Sequence, residues 1–75
     1  MARLDGTDHV HLQAAEGWLE VGNWREANEE LNCITPQLRA HPDVLTVRRI
    51  VCLKAGDLEL AAEIERVLAA ANMQL

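Results

Sequence analysis

The chain carries the same helix-break signal twice, at Gly22 and again at Gly56. Each glycine follows an apolar stripe of helical spacing, and glycine readily adopts the left-handed conformation that often comes just after a helix end. A residue that caps helices well follows each glycine, Asn23 in the first case and Asp57 in the second. The sequence therefore predicts two helix–turn–helix hairpins, one after the other, in an all-α fold.

Four helices follow from the apolar spacing and from the breaking residues between them. Residues 1–7 are predicted to form a short tail. Thr35–Pro36 is expected to break the second helix rather than kink it, because proline lacks an amide and clashes with the preceding turn; a short turn through Ala40 follows. The predicted bounds are Thr7 or Asp8 (as cap) to Val21, Trp24 to about Ile34, Asp43 to Ala55, and Leu58 (capped by Asp57) to about Ala71.

The apolar residues also predict which helix faces are buried. In the first helix, Trp18 is expected in the core, and Gly17 is expected to allow close approach of a neighbouring helix. The third helix is apolar on more than one face, which predicts packing between two other helices. The predicted stripes are Val10, Ala14, Trp18 and Val21 on the first helix, with Leu12, Ala15 and Leu19 beside them; and, on the fourth, Leu58, Ala61, Ala62 and Leu68 facing the third helix, with Leu60, Ile64, Val67 and Ala71 left uncovered.

Composition narrows the class of protein. Seventy-five residues make one small domain, and a formal net charge of −5 offers no electrostatic footprint for nucleic acid. No apolar run reaches the length of a membrane span, and the N-terminus lacks a secretory h-region. Cys33 and Cys52 lie within helical patterns without a C-x-x-C spacing, so both are expected to be buried small residues. These features predict a soluble cytoplasmic protein.

The chain offers no residue pattern typical of catalysis or metal binding. It contains no serine and no tyrosine, and its glutamates follow the polar faces of the predicted helices. His9 and His11 are two positions apart, so on a regular helix their side chains point away from each other and cannot chelate together. We therefore expect no catalytic site, no metal site and no cofactor.

Shifting the chain so that Gly22 falls on Gly56 aligns its two halves. The shift pairs Val10 with Val44, Leu19 with Leu53, Ala27 with Ala61 and Glu29 with Glu63. A helix–turn–helix unit that repeats every ~34 residues resembles the tetratricopeptide repeat. The family's pattern W-x2-L-G-x2-Y falls on His11, Ala14, Ala15 and Trp18, and A-x3-F falls on Ala27 and Leu31; in the second unit these positions are Leu45, Arg48, Arg49 and Cys52, then Ala61 and Glu65.

The resemblance implies an α-solenoid of about four antiparallel helices, in one domain over residues 8–75. Its units would span about residues 8–41 and 42–75, and their first helices would line a concave groove that takes a partner helix or peptide. Arg49 replaces the small residue, and Glu65 the large apolar residue, that the family has at these positions. The groove positions carried over by the resemblance are Leu12, Glu16, Leu19, Glu20, Thr46, Ile50 and Lys54, with His9, Asp43 and Leu53 on the same faces.

Two functions follow from these features. The first is a non-catalytic protein–protein interaction module that binds a partner protein or peptide. The second is a homo-oligomerisation unit, a homodimer or higher oligomer, because an uncovered apolar stripe is normally hidden. The residues expected to self-associate are Leu60, Ile64, Val67 and Ala71. The same stripe would also suit a fragment of a longer repeat array, or a docking site for another protein.

Overall fold

The computed structural model describes residues 6–72, which form four α-helices and one short 3₁₀ turn. No strand occurs within this range, so the predicted all-α class is confirmed. The first five residues of the predicted tail and the last three residues of the chain lie outside the described range. The helices are α1 (Gly6–Glu20), α2 (Trp24–Asn32), α3 (Pro42–Ala55) and α4 (Leu58–Asn72), with the 3₁₀ turn at Pro36–Leu38.

Both predicted hairpin turns are present, and they are built in the same way. Gly22 has φ +79° and Gly56 has φ +83°, the left-handed region in which only glycine avoids a steric cost. Asn23 and Asp57 each accept a hydrogen bond, through the side-chain Oδ1, from the amide three residues further on, at 3.2 Å in both cases. The turns therefore end one helix and cap the next within three residues.

The helices of the first hairpin run antiparallel. Asp8, near the start of α1, contacts Thr35, beyond the end of α2, while His11 in the middle of α1 contacts Glu30. Pro36 breaks α2 as predicted: Thr35 is extended at φ −48° and ψ 128°, and Pro36 begins the 3₁₀ turn. The helix itself ends at Asn32, two residues before the predicted end.

The start of α1 differs from the prediction. The helix begins at Gly6, inside the predicted tail, so Thr7 and Asp8 lie in its first turn and neither is its cap. Asp8 has another role. Asp8 is only 2% exposed, and its Oδ1 accepts hydrogen bonds from the Thr35 amide at 2.8 Å and from the Thr35 hydroxyl at 3.1 Å. This carboxylate therefore ties the first turn of α1 to the segment after α2.

The core consists of two clusters that meet on α3. The larger joins α1, α2 and α3, and the smaller joins α3 and α4, so α3 is packed between the other helices as predicted. Leu19, Trp24 and Leu38 pack against the edge of the larger cluster. Its buried members are Leu12, Ala15, Ala27, Leu31, Ile34, Val44, Val47 and Val51; those of the smaller are Cys52, Ala61 and Ile64.

The buried face of α1 is not the predicted stripe. Val10 and Val21 are 61% and 73% exposed, and Trp18 is 37% exposed, so the prediction that Trp18 belongs to the core is wrong. The helix instead buries the neighbouring face, which contains Asp8, Leu12 and Ala15. The expectation for Gly17 is wrong as well, because nothing lies within 4 Å of the position that a Cβ would occupy there.

The fourth helix also packs differently from the prediction. Ile64 is 5% exposed and belongs to the α3–α4 core, so the expectation that it is uncovered is wrong. Leu60 and Val67 are 38% and 54% exposed, and Ala71 is also exposed. We call these last three residues the α4 patch. Leu58, predicted to face α3, is 65% exposed.

Candidate functional site: a groove between α1 and α3

A cavity of about 590 Å³ opens between α1 and α3, the first helices of the two hairpins. It has the size and shape of sites that hold a few side chains of a ligand. The residues that form it recur every three or four positions on each helix, so each helix contributes one continuous face. The lining residues are His9, Leu12, Glu16, Leu19 and Glu20 from α1, and Asp43, Thr46, Val47 and Ile50 from α3.

The floor of the groove is apolar and belongs to the core. Leu12 and Val47 are 5% and 7% exposed and sit in the cluster that joins the first three helices. Leu19 is half-buried beside them, and Ile50 is 37% exposed on the α3 side. A floor of this kind keeps its shape, because moving it would disturb the packing beneath it.

Polar contacts behind the groove hold its walls in place. On the α1–α2 side, His11 Nδ1 lies 2.8 Å from Glu30 Oε2, and Asp8 joins the start of α1 to Thr35. On the α3 side, His41 caps the helix, its Nδ1 accepting a hydrogen bond from the Asp43 amide at 3.1 Å. The N-terminal half of α1 is thus tied to α2 and to the segment after it, and α3 is capped at its first turn.

The rim is acidic. Glu16 and Glu20 are exposed near the end of α1, and Asp43 is exposed in the first turn of α3. His41 Nδ1 lies 3.9 Å from an Asp43 carboxylate oxygen, whereas within residues 6–72 Glu16 and Glu20 form no ion pair. No lysine or arginine is among the lining residues. The groove therefore combines an apolar floor with negative charge on both sides.

Most of the predicted groove residues lie together. Leu12, Glu16, Leu19, Glu20, Thr46 and Ile50 all line the cavity. Lys54 does not, although it is exposed one turn after Ile50 on the same helix. Val47 lines the groove but was not among the predicted positions, because it also falls in the apolar run of α3 and reads as a core residue. In the structure Val47 belongs to the core and also lines the groove.

The polar groups of the lining are three carboxylates, one imidazole and one hydroxyl. It contains no cysteine, serine or lysine, and the Thr46 hydroxyl donates a hydrogen bond to the Pro42 carbonyl oxygen at 2.8 Å. The part of the chain that the structure describes holds no group of three histidine, cysteine or acidic side chains placed to bind a metal ion. None of the helices between residues 6 and 72 is both long and apolar enough to pass through a bilayer.

At two positions that the repeat spacing makes equivalent, the first hairpin has buried apolar residues and the second has charged residues. Ala15 and Leu31 of the first hairpin are fully buried, and α3 packs in the same cluster. The equivalent residues of the second hairpin are Arg49 and Glu65, and they form an ion pair: Arg49 Nε donates to Glu65 Oε1 at 2.7 Å. The outer face of the second hairpin therefore carries charge where the first hairpin carries apolar contacts.

No protein-family model, curated protein or solved structure matches this chain. The resemblance to the tetratricopeptide repeat therefore rests on the spacing of the two hairpins along the chain, on the motif positions and on the two like-built turns.

Proposed function

We propose that the chain is a non-catalytic, tetratricopeptide-like interaction module that binds a partner helix or extended peptide in the groove between α1 and α3. The observation that supports this proposal is the groove itself: an apolar floor of Leu12, Leu19, Val47 and Ile50, open to solvent between α1 and α3. Apolar surface left open in a preformed groove is what a partner's side chains can bury.

The size of the groove limits the affinity. Burial of one Leu-sized side chain contributes about 1.5–3 kcal/mol, and part of this gain is lost in ordering the peptide. A cavity of about 590 Å³ accommodates a few such side chains. A dissociation constant of about 1 μM requires about 8 kcal/mol, so a groove with two to four anchors suits a transient complex with a dissociation constant of about 1–100 μM.

An unbiased peptide selection tests the proposal. The wild-type domain would be used to select binders from a displayed library of random peptides, and each binder would be measured against Ile50→Glu and Val67→Glu. Ile50 lies in the groove and Val67 on α4; both are exposed, so both variants are expected to fold. The proposal predicts that Ile50→Glu abolishes binding and that Val67→Glu retains it. Binding that survives Ile50→Glu would contradict the proposal.

A second function, self-association through α4, is favoured by one observation. The α4 patch is apolar and exposed, yet the residues of the first hairpin equivalent to Leu60 and Val67 are Glu26 and Cys33, which are exposed as well. Packing within the hairpin therefore does not require apolar residues at these positions. Because exposed apolar patches are typical of interaction surfaces, this alternative proposes that a second copy of the chain covers the α4 patch.

Analytical ultracentrifugation over a wide concentration range tests the alternative. A wild-type dimer that Val67→Glu converts to a monomer, while Val21→Glu in the turn after α1 leaves it dimeric, would support self-association through the α4 patch. Val21 is a matched control because it is an equally apolar residue, 73% exposed, outside α4. Ile64→Glu would not serve, because it places a charge in the α3–α4 core. A wild-type monomer at every concentration would exclude the alternative.

A further inference from the structure

We propose that the groove selects a cationic amphipathic helix, whose apolar side chains cover the floor while lysine or arginine side chains meet the acidic rim. This inference rests on the proposed function, since it assigns the chemistry of the partner that the groove takes. The argument is charge complementarity: the lining holds three carboxylates, Glu16, Glu20 and Asp43, and no lysine or arginine.

The carboxylates stand on both sides of the apolar floor. Glu16 and Glu20 belong to α1, and Asp43 belongs to the first turn of α3. Leu12 and Val47 lie between the two helices. A partner helix with an apolar stripe on the floor would therefore present its two flanks to negative charge. An acidic partner would instead place like charges together on both flanks, which is unfavourable.

The arginines of α3 and of the turn before it have partners elsewhere in the structure. Arg49 pairs with Glu65, Arg48 donates to the side-chain oxygens of Asn28 and Asn32, both at 3.3 Å, and Arg39 donates to the backbone oxygen of Ile34 at 3.0 Å. None of the three lines the groove. These arginines therefore direct their side chains to other faces, and Lys54, exposed at the end of α3, also lies outside the lining.

The spacing of the rim favours a helical ligand. Glu16 and Glu20 are one turn apart on α1, which separates them by about 6 Å along the axis. Two cations at positions i and i+4 of a partner helix have the same separation and can pair with both at once. Each exposed ion pair of this kind is expected to strengthen binding about 1.4- to 5-fold, and added salt should weaken it.

Three synthetic amphipathic peptides would test the inference. They share one apolar stripe and carry lysine, glutamine or glutamate on both flanks, and their binding to the wild-type domain is measured by fluorescence anisotropy at low and high salt. The expected order of affinity is lysine, then glutamine, then glutamate, and the lysine peptide should lose its advantage at high salt. From lysine to glutamate the difference should be about fourfold or more, since at least two pairs change from attraction to repulsion.

Charge reversal on the protein provides the control. The variant Glu16→Lys/Glu20→Lys should reverse the order of the peptides, whereas Glu59→Lys/Glu63→Lys on α4 should not. The two variants make the same change in net charge at the same spacing, and all four positions are exposed. Circular dichroism verifies that both variants fold.

The outcomes separate the two proposals. Equal affinity for the three peptides, lost in Ile50→Glu, would overturn the cationic preference and leave the groove as a binding site. An equal loss of the preference in both charge-reversal variants would also overturn it, since net charge alone would then explain the order. Absence of binding by all three peptides would overturn the amphipathic-helix ligand, whereas the peptide selection with Ile50→Glu decides whether the groove is a binding site at all.

Discussion

At the scale of single residues, Asp8 is the position whose role differs most from its sequence reading. Its place just before an apolar stripe is typical of a helix cap, yet α1 begins two residues earlier and Asp8 bonds the amide and hydroxyl of Thr35. Hydrogen bonds to a carboxylate are stronger than those between neutral groups. The partner of this buried carboxylate is 27 residues away, so no local sequence pattern predicts the contact.

We predict that Asp8→Ala lowers the free energy of unfolding by about 1–3 kcal/mol, because the amide and hydroxyl of Thr35 lose their charged acceptor. Thr35→Val removes only the hydroxyl bond and should cost less, about 0.5–1.5 kcal/mol. Urea denaturation followed by circular dichroism measures both values. An Asp8→Ala variant as stable as the wild type would show that the contact does not hold α1 against the end of α2.

At the scale of elements, helix bounds were easier to predict than helix faces. The glycine turns at Gly22 and Gly56 and the break at Pro36 have strong local causes, and all three occur where the sequence predicts them. Two neighbouring stripes on α1 are both apolar, so their spacing does not decide which is buried. The packing of α3 against α1 determines which stripe is buried, and it buries the face with Leu12 and Ala15. On α4 two neighbouring stripes are also apolar, and the prediction that Ile64 lies outside the core is wrong for the same reason.

The interface between α3 and α4 gives a prediction about the two thiols. Burial raises the pKa of the Cys52 thiol, and the nearby Asp57 carboxylate raises it further, whereas Cys33 is exposed at the end of α2, contrary to the expectation that both are buried. Because the thiolate is the reactive form, Cys33 should react promptly with a thiol reagent and Cys52 much more slowly. Mass spectrometry of Cys33→Ser and Cys52→Ser measures each rate. Equal rates in the folded protein would contradict this packing.

The same pKa shift makes stability depend on alkaline pH. Since folding raises the pKa of Cys52, its contribution is complete below the thiol's unfolded pKa of about 8.5 and is lost as the pH rises through the higher folded value. The urea midpoint of the wild type should therefore fall between about pH 8 and pH 10 more steeply than that of Cys52→Ala, which has no titrating thiol there. Parallel pH profiles would contradict the shift.

At the scale of the whole molecule, the repeat spacing predicted two hairpins but not the difference between their outer faces. In the sequence Arg49 and Glu65 depart from the repeat pattern, but their spacing does not reveal that they form an ion pair. In the structure they pair on the side of the second hairpin that corresponds to the apolar contacts of Ala15 and Leu31. Charge on this side opposes the stacking of another apolar helix, because stacking would have to bury the ion pair.

We predict that Arg49→Ala/Glu65→Leu, which gives the second hairpin the residues of the first, causes concentration-dependent self-association through the new apolar face. Arg49→Gln/Glu65→Gln removes the charges without adding apolar surface, so it should stay in the wild-type state and change stability by less than about 1 kcal/mol. Sedimentation velocity of the two variants beside the wild type measures the difference. Unchanged sedimentation of the first variant would contradict a protective role for the ion pair.

The groove was predictable in most of its residues because helical periodicity brings positions three and four apart onto one face. Eight of the ten predicted positions line it, and Leu53 and Lys54 lie outside. The acidity of the rim was not evident from the sequence, because the predicted positions include Lys54 together with Glu16, Glu20 and Asp43, and only the structure leaves Lys54 out of the lining.

The most direct test of the central claim is to locate the binding surface by titrating the isotope-labelled domain with the lysine-bearing amphipathic peptide and following each backbone amide by nuclear magnetic resonance. If the groove is the site, the largest shift changes will fall on α1 and α3, around Glu16, Glu20 and Ile50, while Leu60 and Val67 on α4 stay unchanged. Changes that concentrate on the α4 patch and spare the groove would contradict the account.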